Sequence, residues 1–328
     1  MSNLFALCFL FTSIFSTAQT TTSKKVLLLM GSRFEFIAIH PNERVRNKAI
    51  DSAILEIKRI EALISSWDYY SETGKINSNA GQNAVKVSQE LFDLIQRAVK
   101  ISNLTNGAFD ITFNSIDPIW IFDGRTMNAP PDSSVILSSV EKINYKNILL
   151  DKEHTSVFLK ESGMKLGFGA IGKGYAANRG KMIMKCMGIE SGMVNAGGDL
   201  IAWGNQENGE AWQIGIADPS AEKEFVAWLS ISDMSVVTSG NYEKYVIIDD
   251  KKFGHIINPK TGWPVSGIQS VTLVSPDCEL SDALATSVFV LGVKNGLDLV
   301  NKLKNVECLI IDDENKIWTS DKLKLNYY

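Results

Sequence analysis

Apolar positions recur at helical spacing through Ile50, Ala53, Ile54, Ile57, Ile60 and Ile64, which predicts an amphipathic helix over Ala49–Ser65. Phe92, Ile95 and Val99 give a second helix, about Gln89–Asn103, closed by the turn pair Asn106-Gly107. Leu27–Ile39 reads as a strand pair broken at Met30-Gly31-Ser32. Between the two helices Trp67–Gly81 is polar, and Asn106–Trp120 reads as loop with short structured pieces. Ala129–Ser134 reads as a Pro/Ser surface loop. Short strands follow at Asn147–Leu150 and Ser156–Leu159, then a glycine-rich turn and helix from Gly167 to about Met187. A strand Gly192–Asn195 leads into Ala196-Gly197-Gly198-Asp199. Trp212–Ala217, Phe225–Ile231, Ser235–Thr238 and Lys244–Ile248 form an antiparallel-looking run. Next come a strand Ser270–Ser275, a turn at Pro276–Asp277 and an apolar helix beginning near Ser281. A helix near Asn295–Lys304 and a strand Glu307–Ile311 close the pattern. Strands and helices mixed in this way predict an α+β fold: one large domain with a mixed, mostly antiparallel sheet and packed helices.

A chain of 328 residues with 45% hydrophobic and 21% charged residues suits a folded protein. The net charge of −4 offers no basic field for nucleic acid. The first 23 residues carry no charged side chain, and Leu4–Phe11 is an apolar run followed by Thr17-Ala18-Gln19. This predicts a signal peptide over 1–18 and a folded domain over 19–328, although the first residues lack the expected Lys or Arg. A buried N-terminal strand is the alternative. Leu7 before Cys8 disfavours a lipid anchor. Cys186, Cys278 and Cys308 remain after cleavage and show no CxxC spacing, so they read as buried, inert thiols.

Asp282 and Thr286 lie four residues apart and share one helix face, at its first turn on the predicted boundary. A carboxylate and a hydroxyl are oxygen ligands of the kind Mg²⁺ takes, and a helix N-terminus favours phosphate. An Asp stabilising its own helix dipole fits the same spacing. Gly167-Phe168-Gly169-Ala170-Ile171-Gly172 matches GxGxxG, but the preceding strand is short and Glu190 falls before the next strand instead of ending it. The small residues still permit close backbone approach, and Lys173 beside them is either a phosphate contact or a solvated lysine. Asn195–Asp199 and Thr238-Ser239-Gly240-Asn241-Tyr242 read first as turns. His255 opens Gly254-His255-Ile256-Ile257-Asn258-Pro259-Lys260-Thr261-Gly262-Trp263-Pro264 and suits a general base, or a structural role.

The order of these segments is more informative than any one of them. Met30-Gly31-Ser32, Ser66-Trp67 to Ile76-Asn77, Gly107-Ala108-Phe109-Asp110, Gly169 to Ala176, Asn195–Asp199, Thr238-Ser239-Gly240, His255–Pro264 and Asp282-Ala283-Leu284-Ala285-Thr286 occur in succession. From Met30 to Gly292 the chain resembles the FAD:protein FMN transferase family, also called ApbE. The fold this implies is related to the T-fold. The resemblance implies a Mg²⁺-dependent, extracytoplasmic enzyme that splits FAD at its pyrophosphate. FMN would pass to a threonine hydroxyl of an acceptor protein through a phosphoester bond, with release of AMP. It also implies Ala170 (through its carbonyl), Asp282 and Thr286 as Mg²⁺ ligands. Met30, Trp67, Ala108, Phe109, Asp110, Lys173, Ile256 and Ala285 match positions that hold FAD, and His255 matches the base. Acceptors would be subunits of membrane redox complexes or secreted flavoproteins.

Gly167 stands where the family often has an FAD-contacting Asp, and Asn178 and Asn258 stand where Asp is frequent. The chain carries no Asp-Gly-x-[Ser/Thr]-x-Thr acceptor motif, so it is not expected to flavinylate itself. Two other readings use the same residues: a Mg²⁺-dependent FAD pyrophosphatase giving FMN and AMP, and a periplasmic FAD-binding protein without turnover.

Overall fold

Strand segments whose alternate residues are apolar on both faces need cover on both sides, and that requirement sets the layers. The computed structural model describes residues 21–116, 119–127, 129–221, 224–241 and 244–325; the predicted export segment lies outside them. An eight-stranded sheet runs in the spatial order Thr22–Leu29, Ser32–Ile39, Ser191–Ala196, Asp199–Trp203, Met234–Gly240, Ile268–Ser275, Glu307–Asp312 and Ile317–Thr319. Every neighbouring pair in it is antiparallel.

Six helices accompany the sheet among the described residues: α1 Glu43–Ile64, α2 Glu72–Ser78, α3 Gln89–Leu104, α4 Ser133–Val140, α5 Gly172–Cys186 and α6 Cys278–Val300. Phe34, Phe36, Val194, Ile201, Val237, Val271, Leu273 and Ile310 face a core shared with α1, α3, α5 and α6. On the other face Met193, Leu200, Ala202, Val236, Val274 and Leu309 lie with Trp212, Ile216, Ala227, Leu229 and Ile231 of the hairpin Trp212–Ala217/Phe225–Ile231. A third cluster, built on Trp120, Ile136, Val246, Ile248 and Ile257, supports the loop that carries His255. This is the α+β arrangement expected of the sequence.

Several boundaries differ for identifiable reasons. The first helix begins at Glu43, not Ala49, because Asn42 Oδ1 accepts from the Arg44 and Val45 N–H groups at 2.9 and 3.3 Å; the charged first turn hides its periodicity. The polar stretch Trp67–Gly81 contains α2, capped by Ser71 Oγ on Gly74 N–H at 2.7 Å. Asp132 caps α4 inside what reads as a loop. Strands at Asp199–Trp203, Lys251–Gly254 and Ile317–Thr319 had no place in the sequence pattern. The antiparallel-looking run is divided among three sheets: the hairpin stands by itself, Met234–Gly240 joins the main sheet, and Tyr245–Ile248 pairs with Lys251–Gly254. The helix placed near Asn295–Lys304 is the end of α6, which kinks at Gly292 (φ 80°). Cys278 and Cys308 are buried as expected, whereas Cys186 is exposed at the end of α5.

Candidate active site

The antiparallel order brings several glycine-rich turns to one end of the main sheet. Met30-Gly31 joins the first two strands there, Gly197-Gly198 joins Ser191–Ala196 to Asp199–Trp203, and Met234–Gly240 ends beside the start of Ile268–Ser275. Met30 (φ 49°) and Gly31 (φ 69°) form a two-residue turn with both residues left-handed, a conformation that Asn, Asp or Gly adopts more readily than Met. The Met30 methyl comes within 3.7 Å of the position a Cβ on Gly172 would occupy, at the start of α5.

The α5–α6 junction places Asp282. Helix α5 is preceded by Ile171, which offers no side-chain acceptor, so its first amides need one from elsewhere. Gly174 N–H donates to Asp282 Oδ2 at 2.9 Å. A Cβ at Gly174 would lie 2.2 Å from Cys278 O and 2.8 Å from Asp282 Cβ, so only glycine admits this approach. Helix α6 has its own cap in Asp277, whose Oδ1 accepts from Leu280 N–H. Asp282 therefore lies one turn deeper than the first turn expected for it, and it caps the neighbouring helix, not its own. Asn178 strengthens the junction: its amide donates to Asp277 Oδ1 at 2.7 Å and its carbonyl accepts from Cys278 N–H. An Asp at 178 lacks the N–H that donates here.

Asp282 is 4% exposed. Burial, and then the charge of Asp199, push its carboxyl well above the usual range, against the opposing pull of Lys173 and the Gly174 N–H. Lys173 Nζ stands 2.6 Å from Asp199 Oδ2, and the Asp199 side chain is 2% exposed. Lys173 is therefore paired within the protein, and Asp199 does more than shape a turn. Thr286 lies one helical turn beyond Asp282 and is half-buried; Ala285 is buried. In a continuing helix Gly174 N–H would turn back to the Ala170 carbonyl; here it goes to Asp282.

The segment before α5 is held by side chains that motif reading undervalued. Asn77 of α2 accepts from Leu166 N–H at 2.7 Å and donates to Leu166 O at 3.1 Å. A Cβ at Gly167 would sit 2.7 Å from Asn114 Cβ, so Asn114 fills the space a larger residue would take. Ala108, Phe109 and Asp110 are buried, and Asp110 accepts from Thr112 N–H, Thr112 Oγ1 and Tyr145 N–H. Those bonds hold the turn over Ile111–Ser115. Beside it a cleft of about 410 Å³ is lined by Asn106, Gly107, Asp110, Tyr145 and, from the His255 loop, Pro259 and Lys260.

That loop is a small hairpin: Ile257 bridges Pro264, Asn258 N–H donates to Trp263 O, and Val265 N–H to Ile256 O. Trp120 Nε1 donates to Gly262 O at 2.9 Å and locks its tip. His255 is half-buried with its ring edge-on to Phe122, and Ile256 turns into the main core with Phe109 and Ala285. Trp67 stands apart, 92% exposed on a loop braced by Ser65, Asp68 and Ser71.

A model of the ApbE family matches residues 30–310. The chain belongs to the ApbE family. It is 31% identical over 286 residues to a Klebsiella pneumoniae protein named FAD:protein FMN transferase, covering 86% of this chain and 88% of that one. A Treponema pallidum protein of the same name is 29% identical over 288 residues, covering 83% and 79%. The crystal structure of an ApbE protein from Thermotoga maritima superposes with a TM-score of 0.83 at 30% identity, over 92% of this chain and 97% of that one. The flavin transferase ApbE from Vibrio cholerae shares the fold at TM-score 0.79 and 22% identity, over 92% and 98%.

Proposed function

We propose that this protein is a Mg²⁺-dependent FAD:protein FMN transferase that esterifies an acceptor threonine with FMN and releases AMP. The observation that carries this reading is the buried Asp282 carboxylate at the α5–α6 junction, beside Lys173 and the small-residue approach to α5. A buried acid pressed by a second acid is under-neutralised, and a divalent cation relieves it. Asp282 and Thr286 offer hard oxygen donors one turn apart. The Ala170 carbonyl, passed over by Gly174 N–H, suits the same role. When bound, Mg²⁺ supplies positive charge against the pyrophosphate oxygens of FAD.

The protein's own groups account for the rest. In the transfer, the threonine oxygen bonds to the FMN phosphorus, the pyrophosphate P–O bond breaks, and AMP leaves with its electron pair. His255 takes the hydroxyl proton, whose own pKa is too high for useful ionisation. Lys173 adds charge stabilisation where phosphate oxygens gather, and fixed positioning contributes most in such loose transition states. Trp67 offers a flat, exposed ring face for stacking. The uncharged, apolar opening of the sequence supports export, with the reaction on the extracytoplasmic side.

The test incubates the chain from Gln19 onward with FAD, Mg²⁺ and a small domain carrying the threonine motif. An acceptor mass gain of one FMN residue, matched by AMP and abolished by chelator, is the expected result. AMP with free FMN and an unmodified acceptor would identify a pyrophosphatase instead. FAD retained without either product would identify a carrier.

A further inference from the structure

At the α5–α6 junction two buried acids, Asp199 and Asp282, share the influence of one ammonium, Lys173. Lys173, in the first turn of α5, is next in sequence to Gly174, whose N–H is already bonded to Asp282. The charge of Lys173 also acts on Asp282, opposing the push of Asp199. The ammonium itself is found on Asp199, at 2.6 Å. Asp199 in turn is rigidly set. Its main chain pairs with Ala196 on one side and Val237 on the other. The turn before it has left-handed Gly197 (φ 63°) and Gly198 (φ 103°) and is closed by Gly198 N–H on Asn195 Oδ1 at 2.9 Å. Asp199 shares its sheet face with Ile201, toward the helices, which directs a buried carboxylate at the α5 N-terminus.

We infer that Asp199 is a positioning residue: it holds the Lys173 ammonium off Asp282 and so keeps that carboxylate open to a divalent cation. The inference rests on the reading of Asp282 as a cation ligand. Were Asp199 neutral, the Lys173 ammonium, whose charge already acts on Asp282, would be free to turn to that carboxylate and occupy the cation's place as an internal competitor. With Asp199 present, Lys173 is held in the site for phosphate oxygens without competing for the metal. A divalent cation on Asp282 beside the Lys173 ammonium suits a polyanionic substrate that binds once the cation is in place.

The experiment titrates Mn²⁺, followed by its EPR signal, into the wild-type chain, Asp199→Asn, Lys173→Met and the double variant, each alone and with FAD. Circular dichroism melting confirms that each is folded, and Asp199→Ser replaces Asp199→Asn if the amide prevents folding. The expected result is about tenfold weaker Mn²⁺ binding in Asp199→Asn, in the range of coupling between linked sites. Most of that loss should vanish when Asp199→Asn is made in the Lys173→Met background, because the competitor is gone. An equal loss in both backgrounds would mean that Asp199 acts only through its charge or as a ligand, and would overturn the inference. So would wild-type affinity in Asp199→Asn. Absence of saturable Mn²⁺ binding to the wild type, with and without FAD, would instead overturn the metal reading beneath it.

Discussion

Gly174 donates its backbone N–H to Asp282 Oδ2 across 2.9 Å, so α5 receives its N-terminal cap from α6. One side chain thus joins two helices. The contact depends on a glycine, since any Cβ at 174 would run into Cys278 O at 2.2 Å.

Gly174→Ala is expected to destabilise the fold by about 3 kcal/mol, because the obstructing atom is backbone and relief requires moving α6. Divalent-cation binding should weaken with it, as Asp282 is displaced. Urea unfolding of the purified variant measures the first effect and Mn²⁺ titration the second. A variant as stable as wild type would show that the junction is loosely packed.

Asp282→Asn separates the capping role from the charge. The amide oxygen still accepts from Gly174 N–H, while the ionisable group that burial and Asp199 disfavour is removed. Without added cation the variant should melt at or above the wild-type temperature, and Mg²⁺-dependent transfer should fall by about 10³-fold. Asp282→Ala loses the cap as well, so it should lose transfer and about 1 kcal/mol of stability. Retained transfer in either variant would remove Asp282 from the metal site.

His255→Ala should lose transfer by about 10²–10⁴-fold, the usual contribution of a positioned base, while FAD affinity stays near wild type. The half-buried ring packs edge-on against Phe122, and the backbone bond from His255 N–H to Lys244 O survives the change. Stopped-flow transfer and FAD fluorescence titration distinguish the two effects. An unimpaired transfer rate would assign the proton to another group.

Which of these relationships the sequence discloses follows from how local they are. The Asp282/Thr286 spacing is one helical turn on any helix, so the shared face is legible before the fold is known. Cap ownership is not, because the atom that Asp282 satisfies is 108 residues away in sequence. Asp199 reads as a turn residue after two glycines, and that is true of its backbone; its pairing with Lys173 appears only when strand order brings the turn under α5. Helix α2 is hidden for a different reason. It is short and polar, and Thr73 and Gly74 are buried without an apolar signature. The space at Gly167 is likewise set by Asn114, which no local pattern links to it.

The ion-pair network behind the site gives a pH signature of its own. Glu56 of α1 accepts from Arg59 at 2.8 Å and from Arg179 of α5 at 2.6 Å, and Arg59 also reaches Glu90 of α3 at 2.7 Å. Bonding to Arg59 is the largest influence on Glu56; with Arg179 it outweighs burial and holds the carboxyl at about 2, against 4.5 in an unperturbed chain. A depressed acid binds protons less readily when folded, so it stabilises the fold above about 4.5. The contribution is lost as pH falls from there toward about 2. Allowing for solvent around Arg59, the loss should be about 1–2 kcal/mol. Glu56→Gln should be less stable than wild type at pH 7, and the gap should close as the pH is lowered through that window. Urea unfolding at pH 7, 5, 4 and 3 measures it, and a gap independent of pH would show that Glu56 contributes by packing and not through its charge.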